Sequence, residues 1–153
     1  LANENAVKDM ENFVENAVNL GARILTGGKR LKREGFFFEP TILDSTTPEM
    51  DAVCLETFGP VAPIIIADSN EEAIVIANNS EFGLSASIWT KDLEKGKNFA
   101  SKIEAGSVFI NSISKTHPNL PVGGIKNSGF GRELSRFGIR EFTNIKSVNV
   151  YEG

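Results

Sequence analysis

Between residues 61 and 110 the chain switches at short intervals between runs that suit strands and runs that suit helices, and this alternation restricts its fold more than any other feature. Residues 61–67 are almost continuously apolar, the pattern of a strand covered on both faces. Ser69 then suits a helix N-cap for residues 70–79, with Glu71 and Glu72 in the first turn, where the helix dipole favours acids. Ala73, Ile74, Ile76 and Ala77 form its expected buried side. Residues 84–90 suit a strand, 93–103 a helix and 107–110 another strand. Strand, helix, strand, helix, strand predicts an α/β fold built on a mostly parallel sheet.

The flanking segments extend this pattern. Val7, Met10, Phe13, Val14, Ala17 and Val18 fall three and four apart and predict a helix over 4–20, with Asn3 as N-cap and Gly21 as its stop. A short strand over 22–25, a turn at Gly27-Gly28 and a solvated basic loop over 29–33 follow. Phe36 to Phe38 and Thr41 to Leu43 read as one extended segment interrupted by Pro40. Residues 53–55 are a short apolar stretch, and Gly59-Pro60 stops any helix or central strand. Residues 111–120 form an irregular loop, long enough to be a candidate for binding. Residues 132–142 suit a short helix broken near Gly138. Residues 145–151 read as a terminal strand with no hairpin partner, which would pair with a distant segment or another subunit.

With 153 residues, 41% of them hydrophobic and 24% charged, the chain has the composition of about one ordinary globular domain. A formal charge of -4 and the absence of a basic stripe interleaved with aromatics argue against nucleic acid. The longest apolar run is far short of a membrane span, about 20 residues. A single cysteine, Cys54, excludes an internal disulfide and any cysteine-cluster metal site, so no metal is expected and a reducing, cytoplasmic setting is. The sequence starts at Leu1 with a polar helical pattern, not a signal region; it reads as a piece of a longer chain.

Few residues offer chemistry, and each has a plainer alternative. Cys54 is the sole thiol, but no base, helix N-terminus or positive charge is evident beside it, so a buried or half-buried inert cysteine is expected. Glu56 and Phe58 stand just before the stiff Gly59-Pro60 pair, placing a carboxylate and a ring on one constrained loop that could meet a sugar and a flat ring; on the residues alone a solvated loop glutamate outweighs that reading. His117, the sole histidine, lies in the long loop, where a surface role outweighs a catalytic one. The glycines at 123, 124, 129 and 131 have the wrong order for either common phosphate cradle. Tight backbone turning is what they are expected to serve.

Three blocks, in order, resemble the C-terminal region of the aldehyde dehydrogenase superfamily. Glu56-Thr57-Phe58-Gly59-Pro60-Val61 resembles its Glu-x-Phe-Gly-Pro signature, and Phe82 to Ser87 its Tyr/Phe-Gly-Leu-x-Ala-x segment. Pro121, Gly123-Gly124, Lys126, Ser128-Gly129 and Gly131-Arg132-Glu133-Leu134 resemble its Pro-Phe-Gly-Gly-x-Lys-x-Ser-Gly-x-Gly-Arg-Glu end, with Val122 where the family often has Phe. Residues 108–146 are most similar to succinate-semialdehyde dehydrogenase-like members.

The resemblance implies a reaction in which a cysteine thiolate attacks an aldehyde, hydride passes to NAD or NADP, and water releases a carboxylic acid. It implies that Glu56 hydrogen-bonds the ribose beside nicotinamide, that Phe58 packs near the nicotinamide, and that Ser112, Ser114 and Thr116, with His117 a weaker candidate, contact the aldehyde. It also implies that residues 1–143 are the second half of a catalytic domain, part of a three-layer fold with a mostly parallel sheet, and that 144–153 are an oligomerisation strand of a homo-oligomer. The family's nucleophile, general base and dinucleotide fold belong to segments upstream of the matched blocks, so Cys54 is not the nucleophile and these residues alone should not turn over. The competing expectation is a truncated, non-enzymatic assembly module.

Overall fold

The first helix in the computed structural model, which describes residues 1–153, is α1, Glu4–Asn19. It starts where the sequence favours it: the Asn3 side chain accepts a hydrogen bond from the Ala6 amide at 2.9 Å, satisfying one of the free amides of the first turn. It ends before Gly21, whose φ of +102° is a backbone conformation that glycine adopts without strain. Val7, Met10, Val14 and Ala17 are its buried stripe. Val18, expected on that stripe, is 42% exposed.

The chain divides into two compact units, Leu1–Asn79 and Ser80–Gly153. In the first, β1 (Arg23–Thr26), β2 (Thr41–Asp44) and β3 (Val61–Pro63) form one sheet with β2 in the centre. β1 runs antiparallel to β2, and β3 parallel to it, with Thr41 opposite Val61 and Leu43 opposite Pro63. The α1 stripe, Ala22, Phe38, Leu43, Met50, Ala52 and Val61 make the core. Two buried threonines are satisfied, as burial demands. Thr41 Oγ1 accepts from the Gly28 amide and donates to the Glu39 carbonyl, both at 2.8 Å, and Thr46 Oγ1 donates to the Ile64 carbonyl at 2.8 Å.

Two expectations for this unit are corrected, and one stretch left without an element is placed. Val53 and Cys54 of the apolar stretch at 53–55 belong to a short helix, α2, Asp51–Cys54, whose first amide donates to Asn16 Oδ1 of α1 at 3.1 Å. The strand expected over 61–67 has only three paired residues; beyond them Ile64 and Ile66 are 41% and 72% exposed. The helix after it, α3, Asn70–Asn78, is capped by Ser69 as expected, but none of its residues is buried. Apolar content marked a two-faced burial that this unit, with one helix layer under its sheet, does not supply.

In the second unit, β5 (Ser85–Ile88) and β6 (Ser107–Ile110) are parallel and joined by α4 (Leu93–Ala100), a strand-helix-strand crossover. Asp92 caps α4 through the Lys95 amide at 2.9 Å. Gly96 lets α4 approach the sheet, because a Cβ there would meet Thr90 at 3.0 Å and Ile110 at 3.2 Å. β4 (Phe82–Gly83) pairs antiparallel with β7 (Ile125–Lys126). The last helix, α5, Ser135–Glu141, runs through Gly138 without a break. Residues 144–153 carry no strand pairing and are exposed.

The architecture is therefore mixed α/β with three small sheets, and the mostly parallel sheet expected from the alternation is not formed. Parallel pairing is confined to β2 with β3 and β5 with β6. No helix is long and apolar enough to cross a membrane, and no group of three His, Cys, Asp or Glu side chains is placed to hold a metal ion.

Candidate functional site

Glu56 and Phe58 lie on the loop that leaves α2 and enters β3. Both are exposed, Phe58 to 86%, and Phe58 has φ of +42°, a left-handed conformation that costs a non-glycine residue about 1–3 kcal/mol unless its surroundings enforce it. The surroundings do so at the next two residues. A Cβ on Gly59 would come within 2.2 Å of Met10 Sδ, and Met10 is only 1% exposed, so the Gly59 backbone is pressed onto α1. The Pro60 carbonyl accepts from the Thr41 amide at 2.8 Å, fixing the loop to β2. At the other end Leu55 closes α2 through the Asp51 carbonyl at 3.0 Å. The loop is thus held at both ends while its carboxylate and ring face solvent.

Cys54 is exposed, which corrects the expectation that it is buried or half-buried; α2 is too short to cover its last residue. It sits at the C-terminal end of that helix, not at a helix N-terminus.

In the second unit the loop over 111–120 is irregular, as expected. It begins at a residue not singled out in the sequence. Asn111, at φ of +53°, uses its side-chain amide to grip the backbone of Thr90: Oδ1 accepts from the Thr90 amide and Nδ2 donates to its carbonyl, both at 2.8 Å. The Asn111 amide donates to the Ile88 carbonyl at 2.8 Å. An asparagine at a strand end, tolerant of the left-handed region, was the available signal. Of the expected substrate residues, Ser112 is half-buried, its hydroxyl donating to the Ile113 carbonyl at 3.0 Å; Ser114 and Thr116 are exposed. His117 is engaged locally: its Nδ1 accepts from the Asn119 amide at 3.2 Å and its carbonyl from the Leu120 amide at 2.9 Å. His117 is exposed, the surface position that the sequence favoured.

The glycine cluster meets the need for close backbone approach. A Cβ at Gly106 would lie 1.7 Å from the Gly123 carbonyl oxygen, and one at Gly123 2.5 Å from that of Gly131. Val122 and Glu133 exchange backbone hydrogen bonds in both directions. The polar side chains of the motif tie these backbones together. Ser128 Oγ accepts from the Gly83 amide at 3.0 Å, Arg132 donates to the Gly124 and Gly131 carbonyls at 3.0 and 2.6 Å, and Lys126 donates to the Ser80 carbonyl at 3.0 Å while pairing with Glu104 at 2.7 Å. Lys126, Ser128 and Arg132 build the segment; they do not point to a phosphate cradle.

Comparison with known proteins assigns this arrangement to a family. The aldehyde dehydrogenase family model matches residues 1–148, and the chain belongs to that family. It is 46% identical over 148 residues to the succinate-semialdehyde dehydrogenase [NADP(+)] 1 of Mycobacterium bovis (strain BCG / Pasteur 1173P2), covering 97% of this chain and 32% of that protein. It is also 46% identical over 154 residues to the succinate semialdehyde dehydrogenase [NAD(P)+] Sad of Escherichia coli (strain K12), covering 95% of this chain and 33% of that protein. The crystal structure of succinate-semialdehyde dehydrogenase from Burkholderia pseudomallei superposes with a TM-score of 0.88 at 42% identity, covering 93% of this chain and 30% of that one. The chain spans about a third of the length of the curated relatives it matches.

Proposed function

We propose that these residues are the part of an NAD(P)-dependent aldehyde dehydrogenase that holds the nicotinamide end of the cofactor and lines the aldehyde site, with succinate semialdehyde as the substrate. The observation that carries this reading is the Glu56 and Phe58 pair, exposed on a loop fixed by Gly59 against Met10 and by Pro60 against Thr41. The donor set suits a nicotinamide riboside: a carboxylate accepts hydrogen bonds from sugar hydroxyls, and a flat ring packs on a flat heterocycle. Bound there, NAD(P)+ would supply the acceptor for the hydride lost as aldehyde becomes acid. Glu56 orients the sugar, Phe58 limits the ring's freedom, and preordering of their loop reduces the entropy lost on binding.

Ser112, Ser114 and Thr116 are the candidate contacts to the aldehyde, on a loop anchored by Asn111. The nucleophile is supplied by residues other than these, because Cys54 falls two positions before the signature glutamate. The similarity to succinate-semialdehyde dehydrogenases supports the choice of substrate. Residues 144–153 form the association segment beyond a catalytic part at 1–143, and their exposed Ile145, Val148, Val150 and Tyr151 favour pairing with another copy. Those exposed apolar residues also support the second reading, a non-enzymatic assembly module.

The test is reduction of NAD+ and of NADP+ by the intact polypeptide carrying these residues, with succinate semialdehyde, beside its Cys54→Ala variant. Turnover that survives the substitution supports the dehydrogenase reading. Absence of turnover with any aldehyde leaves the assembly module as the better account, and turnover abolished by Cys54→Ala overturns the assignment of the nucleophile elsewhere.

A further inference from the structure

In the first unit, one face of α1 and the loop after β1 line an open cleft of about 680 Å³, within the size range of small-molecule sites, about 300–1,000 Å³. It shares no residue with the loop carrying Glu56 and Phe58. Its floor is apolar, made by Val14, Val18, Ile24 and Leu31. One wall carries Glu11 and Glu15, a turn apart on α1, and the other carries Lys29, Lys32 and Arg33. Of the four cations at 29–33 in a chain of net charge -4, only Arg30 is in an ion pair, with Glu4. Lys29, Lys32 and Arg33 are exposed and in no salt bridge. The Arg33 guanidinium lies 3.6 Å from the centre of the Phe37 ring, a cation–π contact that steadies Arg33.

We propose that this cleft binds a nucleoside phosphate. The three surfaces call for a ligand with a flat apolar body, an anionic end and hydrogen-bond donors. A base on the floor, phosphates on Lys29, Lys32 and Arg33, and amino or ribose donors toward Glu11 and Glu15 satisfy all three. A simple polyanion leaves the floor unused and faces two carboxylates; an aliphatic anion leaves those carboxylates without donors.

Calorimetric titration of the chain with ATP, and separately with tripolyphosphate, tests this. The expected result is one ATP site, weakened about tenfold or more by Lys29→Ala/Lys32→Ala/Arg33→Ala, since a lost charge-assisted contact is worth about a factor of ten. Val18→Asp, at an already exposed position, is expected to weaken ATP but not tripolyphosphate. Unchanged thermal midpoints show that the variants fold; should the triple variant's midpoint fall, Lys32→Glu alone gives the same reading. No ATP binding, ATP binding unaltered by these substitutions, or tripolyphosphate bound as tightly as ATP would overturn the proposal.

Discussion

Gly59 lies so close to Met10 that any side chain at position 59 would collide with the Met10 sulfur, 2.2 Å from an added Cβ. This contact joins the loop that carries Glu56 and Phe58 to the most buried face of α1, where Met10 belongs to the core. Gly59→Ala is expected to destabilise the chain by about 1–3 kcal/mol, the usual cost of forcing a methyl into a filled core. Denaturant unfolding measures it. In a Met10→Ala background the same substitution should cost less, because the colliding atom is gone; an equal cost in both backgrounds would show that the contact does not hold the loop.

Asn111 grips Thr90 from both sides of its peptide backbone. Asn111→Ala loses two hydrogen bonds and places alanine at φ of +53°, a combined cost of about 1–3 kcal/mol. Asn111→Gly keeps the conformation and should cost less. Amide hydrogen exchange should rise across residues 111–120 in the alanine variant; exchange confined to the site of substitution would separate the loop from its anchor.

Asp44 and Glu4 set a pH dependence. The Arg23 guanidinium beside Asp44, with the Ser45 backbone amide, holds that carboxyl below its ordinary value of 3.8, and Arg30 does the same to Glu4 below 4.5. A carboxylate with a lowered folded-state pKa stabilises the fold above its ordinary value, and that contribution is lost as pH falls through the lowered one. Both pairs are solvent-facing, so the loss is modest. Thermal midpoints should decline below about pH 4.5, and less steeply in Asp44→Asn/Glu4→Gln. Identical slopes would remove these pairs from the acid response.

The local signals in the sequence were the ones that held. Asn3 and Ser69 each cap a helix as read, because capping needs only a side-chain oxygen and an amide within three residues. The glycines were legible as tight backbone turning, which Gly129 and Gly131 serve at positive φ, whereas the close approach of Gly106 to Gly123 was not, since Gly106 lies on a different strand end. Burial was the weak point. Residues 61–67 and α3 are apolar in composition, yet Ile66 is 72% exposed, and Ala73 and Ala77, on the expected buried side of α3, are exposed. Apolar pattern reports what a segment is suited to bury, not which layer of the same chain covers it. Strand pairing was also hidden: nothing in residues 23–26 announces that they run antiparallel to β2 while β3 runs parallel to it. At the candidate site, Glu56 and Phe58 were readable from a motif, and the support that Met10 gives Gly59 was not, because it comes from 49 positions before Gly59 in the chain.

The exposed segment at 145–153 is proposed to associate with a second copy. Deleting it should lower the mass of the intact polypeptide's assembly, measured by light scattering, without unfolding the monomer. An unchanged mass would contradict that role.

The central claim, that Glu56 holds the nicotinamide end of the cofactor, is tested most directly by steady-state kinetics of the intact polypeptide with succinate semialdehyde, comparing the parent with Glu56→Gln. Glu56 is exposed, so the substitution leaves the core untouched. Loss of one charged hydrogen-bond acceptor should raise KM for NAD(P)+ or lower kcat by about tenfold. Unchanged KM and kcat would remove Glu56 from the site and contradict the account.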